Sequence, residues 1–212
     1  MKIVLAAIDR HLEKAWKNSC GDLDFVTVHD GSIFEVNCDA VVSPANSYGF
    51  MDGGIDGLYT KHFGQIVQDR VRMAILERHH GELLVGSAEV VETDDPKIPY
   101  LIAAPTMRVP MVLGADTVNP YLATRAVLLL ARHGLFASGP RAGQKISDHV
   151  RSIAFPGMGT GVGSVPPAIA ARQMRAAIDD GLRSKARLPK SWDEASEGHQ
   201  LLYTDRAKDL QR

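Results

Sequence analysis

The chain has 212 residues, 45% of them apolar and 23% charged, with a formal net charge of −1. That length supports one well-buried core, no shift in composition marks a second domain of equal size, and the near-neutral balance removes any global electrostatic case for nucleic acid or an anionic membrane. The two cysteines, Cys20 and Cys38, make neither a CxxC pair nor a disulfide framework and fit a reduced, cytoplasmic setting.

The N-terminal IVLAAI run is too short to span a bilayer, is stopped by Asp9 and Arg10, and lacks the long apolar region of a secretory signal. It reads as a first strand over Ile3 to Ile8. Asp9 then suits an N-cap, with Leu12, Ala15 and Trp16 on the apolar face of a helix ending near Gly21. Phe25, Val26 and Val28 begin a second strand that runs into a turn at Asp30-Gly31. A helix between two apolar strands is a βαβ pattern and points to a largely parallel sheet. Ala40, Val41 and Val42 form a third, buried strand ended by Pro44. After a glycine-bearing loop, Leu58, Tyr59, His62, Phe63, Ile66 and Val67 recur at helical spacing, with a break at Gly64 and a further helix from Ile66 to His79. Leu83 to Val91 and Tyr100 to Ala104 read as strands separated by a charged turn, Thr93 to Pro99. Thr106 to Val118 lacks periodicity and reads as a long loop. Asn119-Pro120 predicts a helix with Asn119 as N-cap, ending at Gly134. Ser152 to Phe155 is the last strand, and Ile169, Ala170, Gln173, Met174, Ala177 and Ile178 form an amphipathic helix ending at Gly181. The pattern places one domain over residues 1–187. Beyond Leu188 it weakens into a tail, 188–212, which either packs through Trp192, Leu201, Leu202 and Tyr203 or is disordered.

Two glycine loops carry the chemistry. The first spans Asn46 to Gly54, between a strand and a helix. The second, GMGTGVG from Gly157 to Gly163, also follows a strand and precedes a helix, the setting in which backbone amides and a helix N-terminus hold phosphate. It is not a Walker A loop, because no Gly-Lys-Ser/Thr follows. It is also a poor dinucleotide fingerprint, because no acidic residue waits on a following strand. In open α/β sheets both loops fall at the carboxyl ends of strands, where ligands bind. Asn46 and Asp30 also fit simple turn residues. Asp56 falls in the first turn of a helix, where the dipole favours a carboxylate by about 0.3–1 kcal/mol and suffices to explain it. No HExxH or Cys/His spacing supports a metal site, and no positioned histidine activates Cys38 as a nucleophile.

The stretch VHDGSIFEVNCDAVVSPANSYGFMDGGIDGLYTKHFG together with FPGMGTGVGSVPP resembles the macro domain family of ADP-ribose-binding modules, over roughly Phe25 to Gly181. The resemblance implies a three-layer α/β/α sandwich with a mixed, mostly parallel sheet. It implies that Asp30, beside Gly31, accepts from the adenine amino group. Ser43 and Asn46, around Pro44 and Ala45, stand where the family has two asparagines, the second contacting the distal ribose. Gly53, Gly54 and Ile55 fall in the first binding loop. Asp56, ten positions after Asn46, falls where the hydrolysing branch positions or activates water. Gly157, Gly159, Thr160, Gly161, Val162 and Gly163 fall in the diphosphate loop. Three departures stand out: Ser43 replaces the first asparagine, Met51-Asp52 replaces two glycines of a run of four, and the second loop lacks the common aromatic residue. The implied function is binding of ADP-ribose and hydrolysis of an ADP-ribosyl bond, on a modified protein or a small derivative, with Asn46 and Asp56 as catalytic residues. The alternatives are a non-catalytic ADP-ribose reader and a related nucleotide or nucleic-acid module. The expected partner is ADP-ribose or an ADP-ribosylated protein, bound by a monomer without metal, cofactor or membrane.

Overall fold

The computed structural model describes residues 1–183 and 185–208, so the last four positions of the predicted tail, 209–212, lie outside the described residues. Strands β1 (Lys2–Ala7), β2 (Val26–Asp30), β3 (Ala40–Ser43), β4 (Glu89–Glu92), β5 (Tyr100–Ala103) and β6 (Ser152–Phe155) form one sheet in the order β2-β1-β6-β3-β5-β4. All neighbours are parallel except the β4–β5 pair at one edge. The helices are α1 (Arg10–Cys20), α2 (Gly54–Phe63), α3 (Ile66–His79), α4 (Asn119–His133), α5 (Pro167–Ile178) and α6 (Trp192–Gln200). The result is the mixed, mostly parallel α/β/α sandwich that the strand and helix alternation predicts.

Side-chain alternation along the strands divides the core in two. Ile3, Leu5, Val42, Ile102, Ile153 and Phe155 point to a layer containing Trp16 of α1, Val127 and Leu128 of α4 and Met174 of α5. Val41, Leu101, Ala103 and Ala154 point the other way, onto Tyr59 of α2 and Val67, Val71 and Ile75 of α3. A sheet covered on both faces explains why its strands are continuously apolar rather than alternating. Gly64 breaks α2 from α3 at φ +87°, and His80 ends α3 in the left-handed conformation at φ +51°.

Several boundaries differ from the sequence reading. Of the predicted 83–91 strand only residues 89–91 pair with the sheet, as part of β4, Glu89–Glu92. Leu83 is fully buried, but its N–H donates to the Ser47 carbonyl, so burial without sheet pairing accounts for its apolar character. Asn119 does not cap α4: Val118 holds the cap position, and the Asn119 amide donates to the Thr106 carbonyl at 2.8 Å. The side chain therefore anchors the start of the long loop instead of the helix. That loop is ordered, since Met107 bridges Asn46, the Arg108 carbonyl accepts from Ser47 N–H, and Leu113 N–H donates to the Gly163 carbonyl. Gly181 does not end α5 but lies in a π turn, Asp179–Arg183. The region after Leu188 contains α6, capped by Ser191, yet Trp192 is 65% exposed, so the expected packing of that ring is absent. A helix made from DEASEGHQ carries too few apolar residues to announce itself by periodicity.

Trp16 is fully buried between α1 and α5, with Nε1 3.3 Å from the Met174 sulfur. Trp16→Ala is expected to destabilise the fold by about 3–5 kcal/mol, read as a lowered urea midpoint.

Candidate functional site

The loops after β1, β3, β5 and β6 leave the same edge of the sheet because those strands are parallel, and they enclose a cleft of about 640 Å³. This lies in the size range of small-molecule sites. Of the residues singled out from the sequence, Gly31, Ala45, Asn46, Gly53, Gly54, Ile55, Asp56, Gly157, Gly159, Thr160, Gly161, Val162 and Gly163 line it. The sequence reading missed Ile8 and Asp9 after β1, Phe50, Leu58 of α2, and Thr106, Met107 and Pro110 of the long loop. Asp9 is visible in the sequence only as a helix cap, which it is, accepting from His11 N–H at 2.7 Å.

Asp30 and Ser43 do not line the cleft. Asp30 pairs with Ala7 at the exposed end of β2, after which the chain turns into a short 3₁₀ segment capped by Ser32. Gly31, Ser32 and Ile33 are the residues of this region that line the cleft, with Asp30 exposed beside them. Ser43 is fully buried at the end of β3, and its hydroxyl donates to Asp56 Oδ1 at 2.5 Å. It acts on the carboxyl from behind instead of forming a wall.

The glycines divide into two kinds. A Cβ on Gly157 would lie 2.2 Å from Thr160 Oγ1 and 2.8 Å from Leu12 Cδ2, and one on Gly163 would lie 2.5 Å from the Gly159 carbonyl oxygen. Gly159 itself sits at φ +71°. These positions need glycine for the loop to close on itself. Around Gly53 and Gly161, by contrast, no atom lies within 4 Å of where a Cβ would stand. There the space belongs to the cleft.

Asn46 combines both readings made of it. It lines the cleft, but Oδ1 accepts from Tyr48 N–H at 3.1 Å and Phe50 N–H at 3.3 Å, and Nδ2 donates to the Phe50 carbonyl at 2.9 Å. The side chain therefore folds the 46–50 loop and keeps one Nδ2 hydrogen uncommitted by these bonds. Asp56 is 8% exposed, in the first turn of α2, and Ser43 is its hydrogen-bond partner among the described residues. Burial pushes its carboxyl up to about 7, against the smaller opposing effect of the Ser43 hydroxyl. Helix-dipole stabilisation of about 0.3–1 kcal/mol is outweighed by a shift equivalent to roughly 4 kcal/mol, so desolvation, not the dipole, governs this residue.

The charge pattern is one-sided. Asp9, Asp52 and Asp56 line the cleft, and among the described residues no Lys, Arg or His does. Positive potential for an anion here comes from backbone N–H groups and the N-terminus of α2, with neutral donors such as Asn46 and Thr160 beside them. Burial also raises the thiols, Cys20 to about 11 and Cys38 to about 12, which leaves both protonated and inert at neutral pH. Among the described residues no group of three or more His, Cys, Asp or Glu side chains could hold a metal ion, and no helix is long and apolar enough to cross a membrane.

Asp56 titrates at about 7 in the folded chain, against an ordinary carboxyl value of 3.8. The folded state thus holds the extra proton between those values, and stability falls as pH rises through that window. Asp56→Asn is expected to be more stable than wild type at pH 8 by on the order of 2–4 kcal/mol and to lose that advantage at pH 4, measured by urea denaturation at both values.

Comparison with known proteins agrees with this architecture. The family model described as the Macro domain matches residues 42–174. A protein of Aquifex aeolicus, itself uncharacterized, is 36% identical over 149 residues, 70% of this chain and 78% of its own. A Salmonella gallinarum protein named O-acetyl-ADP-ribose deacetylase is 29% identical over 156 residues, 72% of this chain and 76% of its own. Among solved structures, a mutant Oceanobacillus iheyensis macrodomain with ADPR superposes with a TM-score of 0.57 at 18% identity, covering 74% of this chain and 77% of that one. The matched model runs from the end of β3 through both glycine loops into α5, and the chain belongs to the macro domain family.

Proposed function

We propose that the cleft binds ADP-ribose and that the protein hydrolyses an ADP-ribosyl bond, on a mono-ADP-ribosylated protein or a small ADP-ribose derivative. One observation carries this reading: a buried carboxyl, Asp56, opens onto the same cleft that the Gly157–Gly163 loop helps to enclose. The named activity of the Salmonella relative and the ADPR of the Oceanobacillus structure support the ligand class.

The diphosphate lies against the second loop and the α2 N-terminus, where N–H groups supply the positive potential that the missing basic side chains do not. Gly53 and Gly161 leave room for it. Asp56, when ionised, accepts a proton from a water that attacks the distal ribosyl carbon or its ester, and returns it to the leaving group. Ser43 holds the carboxyl in place and favours its ionised form. Asn46 shapes the loop that presents Phe50 and Asp52 and offers its uncommitted hydrogen toward the ribose. A non-catalytic reader is the second reading, favoured by the replacement of an expected asparagine with a Ser43 that the fold buries.

Release of ADP-ribose from a modified protein and from O-acetyl-ADP-ribose is measured for wild type, Asp56→Ala and Asn46→Ala. A loss of at least about 100-fold in Asp56→Ala with ADP-ribose binding retained supports hydrolysis. Equal turnover in all three variants rejects the assignment of Asp56. Calorimetric binding with no product from wild type supports the reader. The rate is expected to rise with pH through about 7, the value at which Asp56 ionises, and Ser43→Ala to move that rise upward because the hydroxyl no longer favours the carboxylate. Gly53→Val is expected to leave the chain folded, with the thermal midpoint lowered by a few degrees for the poorer cap of α2, and to weaken ADP-ribose binding at least about tenfold by filling the cleft.

A further inference from the structure

We infer that Asp52 is a specificity-determining residue which selects ADP-ribosyl substrates whose leaving group is cationic, of the guanidinium class found in modified arginine. The inference rests on the ADP-ribose reading above and deepens it.

The first observation is the charge of the cleft. ADP-ribose brings a diphosphate, yet every charged side chain lining the cleft among the described residues is acidic. Asp56 is buried, and Asp9 is engaged as the cap of α1. Asp52 is exposed, as Asp9 is, but it stands immediately before Gly53 at the start of α2 and its carboxylate makes no hydrogen bond or ion pair with the described residues. A free carboxylate beside an anionic ligand costs affinity unless the ligand also carries positive charge near it.

The second observation is independent of charge. Phe50, two residues before Asp52, lines the same cleft. The Arg72 guanidinium already lies over one face of this ring, 4.4 Å from its centre, while the side chain as a whole stays 51% exposed. The ring environment therefore accepts a planar cation, and a carboxylate with an adjacent aromatic face is the pairing that guanidinium groups favour over ammonium or neutral groups. Asn46 holds the Phe50 backbone in place by bonding both its N–H and its carbonyl.

The chemistry balances without any co-reactant other than water. The bond between the distal ribosyl carbon and the guanidine nitrogen breaks, with its electron pair leaving on nitrogen. A water oxygen bonds to the carbon, and the proton that Asp56 takes from the water passes to that nitrogen. The products are free ADP-ribose and a guanidinium side chain.

The test compares three substrates: an arginine peptide carrying ADP-ribose on its guanidine, a glutamate peptide carrying it as an ester, and ADP-ribose bearing a phosphate on the distal ribose. Wild type, Asp52→Asn and Asp52→Gly are each assayed for kcat/KM at low and high salt, with free ADP-ribose binding measured beside them. Wild type is expected to prefer the arginine peptide over the ester by about fivefold, and over the phosphate by more, as suits a partly solvated ion pair. Either substitution should shift the ratio of arginine peptide to phosphate by about tenfold toward the phosphate, and high salt should erase the wild-type preference. A wild-type enzyme that turns over the ester or the phosphate at least as well as the arginine peptide overturns the inference, as does a substitution that alters all three substrates alike. Absence of free ADP-ribose binding in wild type would instead overturn the ligand reading on which the inference rests.

Discussion

The hydrogen bond from Ser43 to Asp56 joins the last residue of a central strand to the first turn of the helix that follows it, and the cleft is arranged around that join. It holds because both partners are removed from water, which makes a hydroxyl-to-carboxyl bond stronger and an unpartnered carboxyl costlier. The same burial that raises the carboxyl toward neutrality fixes its direction. Tyr59, one turn further along α2, donates to the Val42 carbonyl at 3.0 Å, so the helix is pinned to β3 at two successive points. Together these contacts set where the chain between them, the first glycine loop, has to lie.

The second loop achieves its shape with almost no side chains. Its closure depends on Gly157 and Gly163 meeting neighbouring atoms where a Cβ would collide, and on the positive φ of Gly159. Leu113 N–H, donating to the Gly163 carbonyl, ties this loop to the one that follows β5. The potential of such a surface comes from fixed backbone dipoles and not from charged side chains. Around it stand Asp9, held by His11 N–H, Asp56, held by the Ser43 hydroxyl, and Asp52.

Much of the fold was legible in the sequence. Continuous apolar runs such as Ala40 to Val42 announce strands covered on both faces, and Gly64 and Gly134 mark where helices stop. Errors arose where one residue type serves two physical purposes. Leu83 is apolar because it is buried, yet it pairs with a loop and not with the sheet. Asn119 precedes a proline as a cap would, yet its amide spans to Thr106, thirteen residues away. Trp192 is large and aromatic but remains exposed on α6. Periodicity reports burial and propensity, and it does not say which partner a residue takes once the chain is assembled.

The class of fold and the two strand–glycine-loop–helix units can be had from the amino-acid order alone, because each depends on short-range features: period, turn residues and their spacing; the family comes from the resemblance that the two loop segments carry. It took the assembled sheet to separate the glycines that close a loop from those that leave room for a ligand, to put Asp30 outside the cleft while Asp9 and Phe50 line it, and to set Ser43 behind Asp56. These depend on which segments the parallel strands bring to one edge. The same holds for the state of Asp56, since a carboxylate at a helix start is stabilised by a local dipole that sequence reveals, but its desolvation comes from strands and loops distant along the chain.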